Sequence, residues 1–169
     1  IAGINPDMRE ETVTLVRDAG FVDRFVALSA DIRDADQVQK MVDDTVGKFG
    51  HLDAVVANAG VMVVRRPFLE LTHEEWHNVI AVNLHGTFHT LQAATRVLKA
   101  QGRGGDLFVT TSSNAVRPSP MASAYVASKG AIQQMVRALA VELAPDGIRV
   151  DSIIPGLTLT PGTTSREGH

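Results

Sequence analysis

With 169 residues, 44% of them hydrophobic and 21% charged, the chain has the make-up of one globular domain, long enough to bury a core. A net charge of −3 gives no basic field for nucleic acid, and the absence of cysteine excludes a disulfide framework, a thiolate nucleophile and Cys-ligated zinc. No apolar run approaches the roughly 18–20 residues that cross a bilayer, residues 1–9 lack the basic-then-apolar pattern of a secretory signal, and a cytoplasmic setting is expected.

Gly3 and the pair Asn5-Pro6 mark 1–7 as loop. Val13, Leu15 and Val16 among charges predict a helix over 8–19, stopped by Gly20. Residues 25–30 read as a short buried strand, with Asp31 just after it. A helix follows over 35–48, its apolar face made by Val38, Met41, Val42 and Val46. The next strand is 52–57, closed by Asn58-Ala59-Gly60. Thr72-His73-Glu74-Glu75 has the Thr-x-x-Glu form of a capping box and opens a helical region to about residue 100, with a bend expected near Asn83. A strand over 106–111 leads to Ser112 and Ser113, and Pro118 and Pro120 then hold a loop. Residues 123–143 form the longest helical pattern, 149–154 a further strand turned by Pro155-Gly156, and 161–169 a polar tail expected to be disordered.

Alternating strands and helices argue for α/β architecture, a doubly wound parallel sheet with helices on both faces. Residues 1–169 read as one dinucleotide-binding and catalytic unit. In such sheets ligands bind beyond the carboxyl ends of the strands. Asp31, Asn58-Ala59-Gly60, Ser112-Ser113 and Pro155-Gly156 all fall there.

The only tyrosine, Tyr125, stands four residues before Lys129 near the start of the longest helix, so the two share a helix face. An ammonium beside a phenol favours the phenolate, and a phenol so tuned can give and take a proton near neutral pH. A serine hydroxyl from the preceding strand end, aimed at the same oxygen, suits a carbonyl that gains negative charge during reduction. Taken alone, the pair is more often a half-buried tyrosine beside a solvated lysine, because so short a motif recurs by chance.

Taken together, the motifs resemble those of the short-chain dehydrogenase/reductase family, from about residue 25 to 161. Asn58-Ala59-Gly60 resembles the family's Asn-Asn-Ala-Gly, with Ala57 in the first Asn position. Residues 76–84 resemble the helix that carries its catalytic Asn, here Asn83. Tyr125-Val126-Ala127-Ser128-Lys129 resembles Tyr-x-x-x-Lys, and 155–160 resemble the nicotinamide loop. The resemblance implies a Rossmann-like fold and hydride transfer between NAD or NADP, with a lean to NAD, and a secondary alcohol or ketone. It implies Tyr125 as general acid and base, and Lys129 as its tuner and ribose ligand. Asn83 would hold a relay water and Ser113 would bind the substrate oxygen. Ser113 lies twelve residues before Tyr125, one fewer than the family spacing, so Ser112 is the alternative. Asp31 and the backbone at Ile32 would recognise adenine. Asn58, Ala59 and Gly60 would line the cofactor cleft, and Pro155, Gly156, Thr158 and Thr160 would hold the carboxamide end. Small residues such as Ala93, Ala94, Ala127 and Ala131 permit close packing of helices on the sheet, and the resemblance implies that the helices around 83–100 and 123–143 also form the interface of a homodimer or homotetramer.

Four departures stand out. Asp151 occupies a place where the family usually has Asn. The Gly-rich strand-turn-helix that takes a pyrophosphate is not in the pattern, nor is the second strand, nor the C-terminal end. In the order 3-2-1-4-5-6 the chain then supplies strands three to six, with two places open between strands three and four, and it is expected to be part of a longer polypeptide. Two other classes compete. A non-catalytic scaffold on this fold would lack cofactor binding. His73-Glu74-x-x-His77 matches a zinc hydrolase signature, but six residues past His77 stands Asn83 rather than a third histidine, so no metal site is expected.

Overall fold

The structure is a computed structural model that describes residues 1–62 and 65–158. Five α-helices and three strands alternate among the described residues: α1 (Pro6–Asp18), α2 (Ala35–Phe49), β1 (Ala54–Ala57), α3 (His73–Val79), α4 (Gly86–Gln101), β2 (Gly105–Thr110), α5 (Ser123–Leu143) and β3 (Ile148–Ile153). The strands form a parallel sheet in the order β1-β2-β3, with Val55 opposite Leu107 and Leu107 opposite Val150. This is the Rossmann-like α/β architecture that the sequence pattern predicts, with helices packed on one face of the sheet rather than both among the described residues.

Local chemistry starts α2 and α3 where the sequence places them, and it starts α1 two residues earlier than expected, because Asn5-Pro6 is a helix cap and first turn rather than loop. Asn5 accepts hydrogen bonds from the Asp7 and Met8 amides, and Asp34 does the same for Asp36 and Gln37. Thr72 and Glu75 form the full capping box at α3. The bend expected near Asn83 is a π-turn, Ile80–His85, between α3 and α4. Such turns insert one extra residue into a helix and recur at functional sites.

Strand register aligns Val55, Ala57, Leu107, Val109, Ile148 and Val150 on one face. Val38 and Val42 of α2, Leu91 and Leu98 of α4, and Ile132 and Val136 of α5 bury themselves against that face in a single core. The opposite face presents Val56 and Ile153, which are 58% and 49% exposed, so it is open among the described residues.

Two further expectations are corrected, for residues 25–30 and for residues 1–3. Residues 25–30 do not form a strand; they contribute one parallel bridge, Leu28 to Ala2. A strand needs a neighbour along its length, and here the pairing is confined to three bonds: the Leu28 amide to the Ile1 carbonyl, the Gly3 amide to the Leu28 carbonyl, and the Ile1 amine to the Val26 carbonyl. Thus residues 1–3, read as loop, lie beside 26–28 and fill one of the two places expected to be open. Between them and the β1 edge runs an apolar groove of about 610 Å³, lined by Ala2, Leu28, Val42 and Ala54–Ala57. Thr160 and the tail 161–169 lie outside the described residues.

Candidate active site

The carboxyl ends of the three strands are tied to one another. The Thr110 hydroxyl at the end of β2 donates to Asn58 Oδ1 beyond β1 (2.9 Å). The Thr111 amide donates to the Ile153 carbonyl at the end of β3 (2.9 Å), and the Ser113 amide to the Pro155 carbonyl (3.1 Å). These bonds bring Asn58, Ser113 and Pro155 to one end of the sheet.

Asn83 is fully buried in the π-turn. A buried amide must find partners. Its Oδ1 accepts from the Val61 amide (2.8 Å), and its Nδ2 donates to the Val61 carbonyl (3.0 Å) and to Ser128 Oγ (3.1 Å). The Ser128 hydroxyl in turn donates to the Tyr125 carbonyl (2.7 Å). One side chain therefore fastens the loop after β1 to the helix that carries Tyr125 and Lys129. The water-holding role expected of Asn83 has to use the lone pair that these bonds leave on Oδ1, or its backbone.

Lys129 is buried, at 5% exposure, and its Nζ donates to the Thr110 carbonyl (2.8 Å). Burial pushes its ammonium below the ordinary lysine value. Nζ lies 5.8 Å from the centroid of the Tyr125 ring, within cation–π range. Gly60 closes the cluster. A Cβ there would stand 3.2 Å from Asn83 Oδ1 and 3.7 Å from Lys129 Nζ, so its bare backbone leaves a cradle against both groups. Gly60, Asn83, Tyr125 and Lys129 thus converge from three separate segments. A cradle without a side chain, next to a buried ammonium donor, fits a polyhydroxylated ribose of a nicotinamide cofactor.

The two serines differ. Ser112 Oγ accepts from the Asn114 amide (3.1 Å) and caps the short turn Ser113–Ala115, which packs against α5. The Ser113 hydroxyl has no hydrogen-bond partner among the described residues and is half-buried. Ser113→Ala is therefore expected to lower turnover by about 10²-fold with the fold intact. Ser112→Ala is expected to cost about 1 kcal/mol of stability through the lost cap, with a smaller kinetic effect. Steady-state kinetics and thermal melts of both variants check the assignment; the reverse pattern would move the role to Ser112.

Other expected residues are placed less directly. Asp31 does not join the cluster. Its carboxylate takes both oxygens to Arg33 Nε (3.0 and 2.9 Å), and that hydrogen bonding holds it below the usual carboxylate range. Ile32 lies against α4, with its carbonyl 3.0 Å from His89 Nδ1. Asn58 and Ala59 line the apolar groove beside β1. Gly156 accepts from the Thr158 hydroxyl at 3.4 Å, on the exposed segment after β3. At the rejected zinc signature, His77 Nδ1 faces the His73 carbonyl (2.6 Å), and no group of three metal-ligating side chains assembles among the described residues. Sequence reasoning missed Ser128, Thr110 and the Val61 backbone, which hold the cluster in place. Only Ser128 carried a signal, lying beside Lys129 inside the Tyr125–Lys129 motif.

A family model for short chain dehydrogenases matches residues 1–168, and the chain belongs to that family. It is 43% identical over 151 residues to an "uncharacterized NAD-dependent oxidoreductase" of Mycobacterium tuberculosis, covering 89% of this chain and 54% of the relative. It is 34% identical to the 2-dehydro-3-deoxy-D-gluconate 5-dehydrogenase of Escherichia coli, covering 96% of this chain and 63% of that one. The fold matches a crystal structure of carveol dehydrogenase from Mycobacterium avium in complex with NAD, with a TM-score of 0.81 and 34% identity over 89% of this chain and 54% of that one. The chain spans about half the length of the curated relatives it matches.

Proposed function

We propose that residues 1–169 form the catalytic part of a cytoplasmic NAD(P)-dependent oxidoreductase acting on a secondary alcohol or ketone. The convergence of Gly60, Asn83 and Lys129 beside Tyr125 carries this reading. A bound nicotinamide cofactor supplies the hydride donor or acceptor. The chain's own residues supply orientation and protons. Tyr125 gives its hydroxyl proton to the carbonyl oxygen in reduction and takes it back in oxidation. Ser113 donates a hydrogen bond to that oxygen as negative charge gathers on it. Lys129 favours the phenolate and holds ribose hydroxyls, and Asn83 keeps the loop after β1 in register and holds a relay water. Asp31 and Ile32 would take the adenine end, Asn58, Ala59 and Gly60 the wall of the cleft, and Pro155, Gly156, Thr158 and Thr160 the carboxamide end.

The relative named as NAD-dependent and the NAD-bound neighbour support NAD as the preferred cofactor. Ala93 and Ala94 of α4 are buried in the chain's own core, and the exposed small residues Ala127 and Ala131 of α5 support a homodimer or homotetramer. Fluorescence titration with NADH and NADPH is the first test. Saturable NADH binding is expected, followed by turnover on a panel of secondary alcohols and ketones. A protein that binds neither cofactor would return the fold to the scaffold class.

A further inference from the structure

Gly86 is buried in the first turn of α4 with an ordinary helical backbone, φ −62° and ψ −39°. Its lack of a side chain therefore serves space rather than backbone freedom, and glycine inside a helix costs about 1 kcal/mol relative to alanine. A Cβ at residue 86 would stand 2.5 Å from Ile32 Cδ1, 2.6 Å from Cγ1 and 3.2 Å from Cβ. Real contacts do not come so close, so Ile32 or the helix would have to move. Three residues on, on the same face, His89 Nδ1 lies 3.0 Å from the Ile32 carbonyl. One residue is thus held at its side chain and its carbonyl by one helix face. The neighbouring residue is fixed too: the Asp31 amide donates to Gln37 Oε1 (3.0 Å) on α2. Gly86 directly follows the π-turn that contains Asn83.

We propose that Gly86 and His89 are positioning residues that seat residues 31–33 on the helix turn carrying Asn83, so that the adenine-holding segment and the proton-transfer cluster are kept at one fixed separation. The proposal rests on the oxidoreductase reading, in which Asp31 and Ile32 take the adenine end. The two ends of a dinucleotide are joined covalently, so a shift of the 31–33 segment weakens binding at the adenine end while Tyr125 and Lys129, on α5, keep their places.

The test uses two probes on the full chain: NADH, and ADP-ribose, which keeps the adenine end and lacks nicotinamide. Gly86→Ala is expected to raise Kd for both by about 10-fold or more, with kcat at saturating cofactor changed by less than about 3-fold, since misplacement of about 1 Å is enough for such losses. Ile32→Ala removes the atoms that an alanine at 86 would strike. The double variant is expected to bind both probes within about 3-fold of Ile32→Ala alone. A second pair avoids the steric change: His89→Leu removes the donor and weakens ADP-ribose binding, whereas His89→Asn keeps a donor near the place of Nδ1 and restores it. A merely structural role would lower the thermal midpoint without this pattern of rescue. Unchanged ADP-ribose affinity in both Gly86→Ala and His89→Leu overturns the proposal and leaves the oxidoreductase reading intact if the unsubstituted chain binds NADH. A chain that binds neither probe before substitution overturns both.

Discussion

Tyr125→Phe is expected to lower kcat for ketone reduction by about 10³-fold, or roughly 4 kcal/mol of transition-state stabilisation, within the range of general acid catalysis by a positioned side chain. The substitution removes one oxygen and keeps the ring. The bond that Tyr125 makes within the fold goes through its carbonyl, to the Ser128 hydroxyl, and that carbonyl survives. NADH affinity and the thermal midpoint are therefore expected to stay as they are. Stopped-flow reduction at saturating cofactor, with a cofactor titration and a melt alongside, separates the proton-transfer role from packing. Turnover at the unsubstituted rate would exclude the phenol as the acid.

The second large effect is at Lys129. Lys129→Met is expected to reduce kcat by about 10²-fold, through loss of the charge that favours the phenolate and of a ribose ligand. It also changes how stability depends on pH. Burial lowers the folded-state value of this ammonium below the ordinary 10.5. Between the lowered and the ordinary value the unfolded chain binds more protons than the folded one, so the stability of the unsubstituted protein rises with pH across that window. Below the window the folded state carries the full cost of a buried charge. Methionine has no such term. Denaturant melts at neutral and at alkaline pH are expected to show the unsubstituted chain gaining on Lys129→Met as pH rises, by up to about 1.4 kcal/mol per pH unit for one proton. Parallel pH profiles would mean that the lysine is not desolvated in the folded state. The Thr110 carbonyl loses its donor in the variant, which adds a loss of about 1–3 kcal/mol that does not depend on this titration.

Much of this was legible without a structure, and the reasons are specific. The longest helix was placed at Ser123–Leu143, with the bounds the structure gives, because its apolar spacing is long and Pro145 and Gly147 punctuate its end. The capping box at Thr72 and Glu75 is a local device, written within four residues, and it forms as read. The break near Asn83 was visible as a bend, while its π character was not, because the extra residue is set by what α3 and α4 must each bury. Residues 25–30 were misread because an apolar run says that a segment is buried, not that it has a partner along its length. The Asp31 carboxylate was read as free for a ligand. That it is taken by Arg33, two residues away, depends on a turn that the sequence does not specify. The close approach of Ile32 to Gly86 joins positions far apart in the chain and leaves no local trace.

The π-turn at Ile80–His85 has a consequence for how the chain tolerates length changes. Such a turn absorbs its extra residue locally, because it winds through a smaller angle per residue than an α-helix, so α3 and α4 keep their phase across it. One residue deleted from 80–85 would let the turn relax into regular helix, with Leu91 and Leu98 still facing the core. The change would fall on the turn itself, where Asn83 would lose Val61 and Ser128. A loss of one codon there would spare the core and untie the loop after β1 from the helix that carries Tyr125 and Lys129. Codon-deletion scanning of the helical region should therefore find that a deletion at this turn costs the candidate site more than the fold, whereas a deletion inside α4 turns Leu91 or Leu98 away from the core and costs stability.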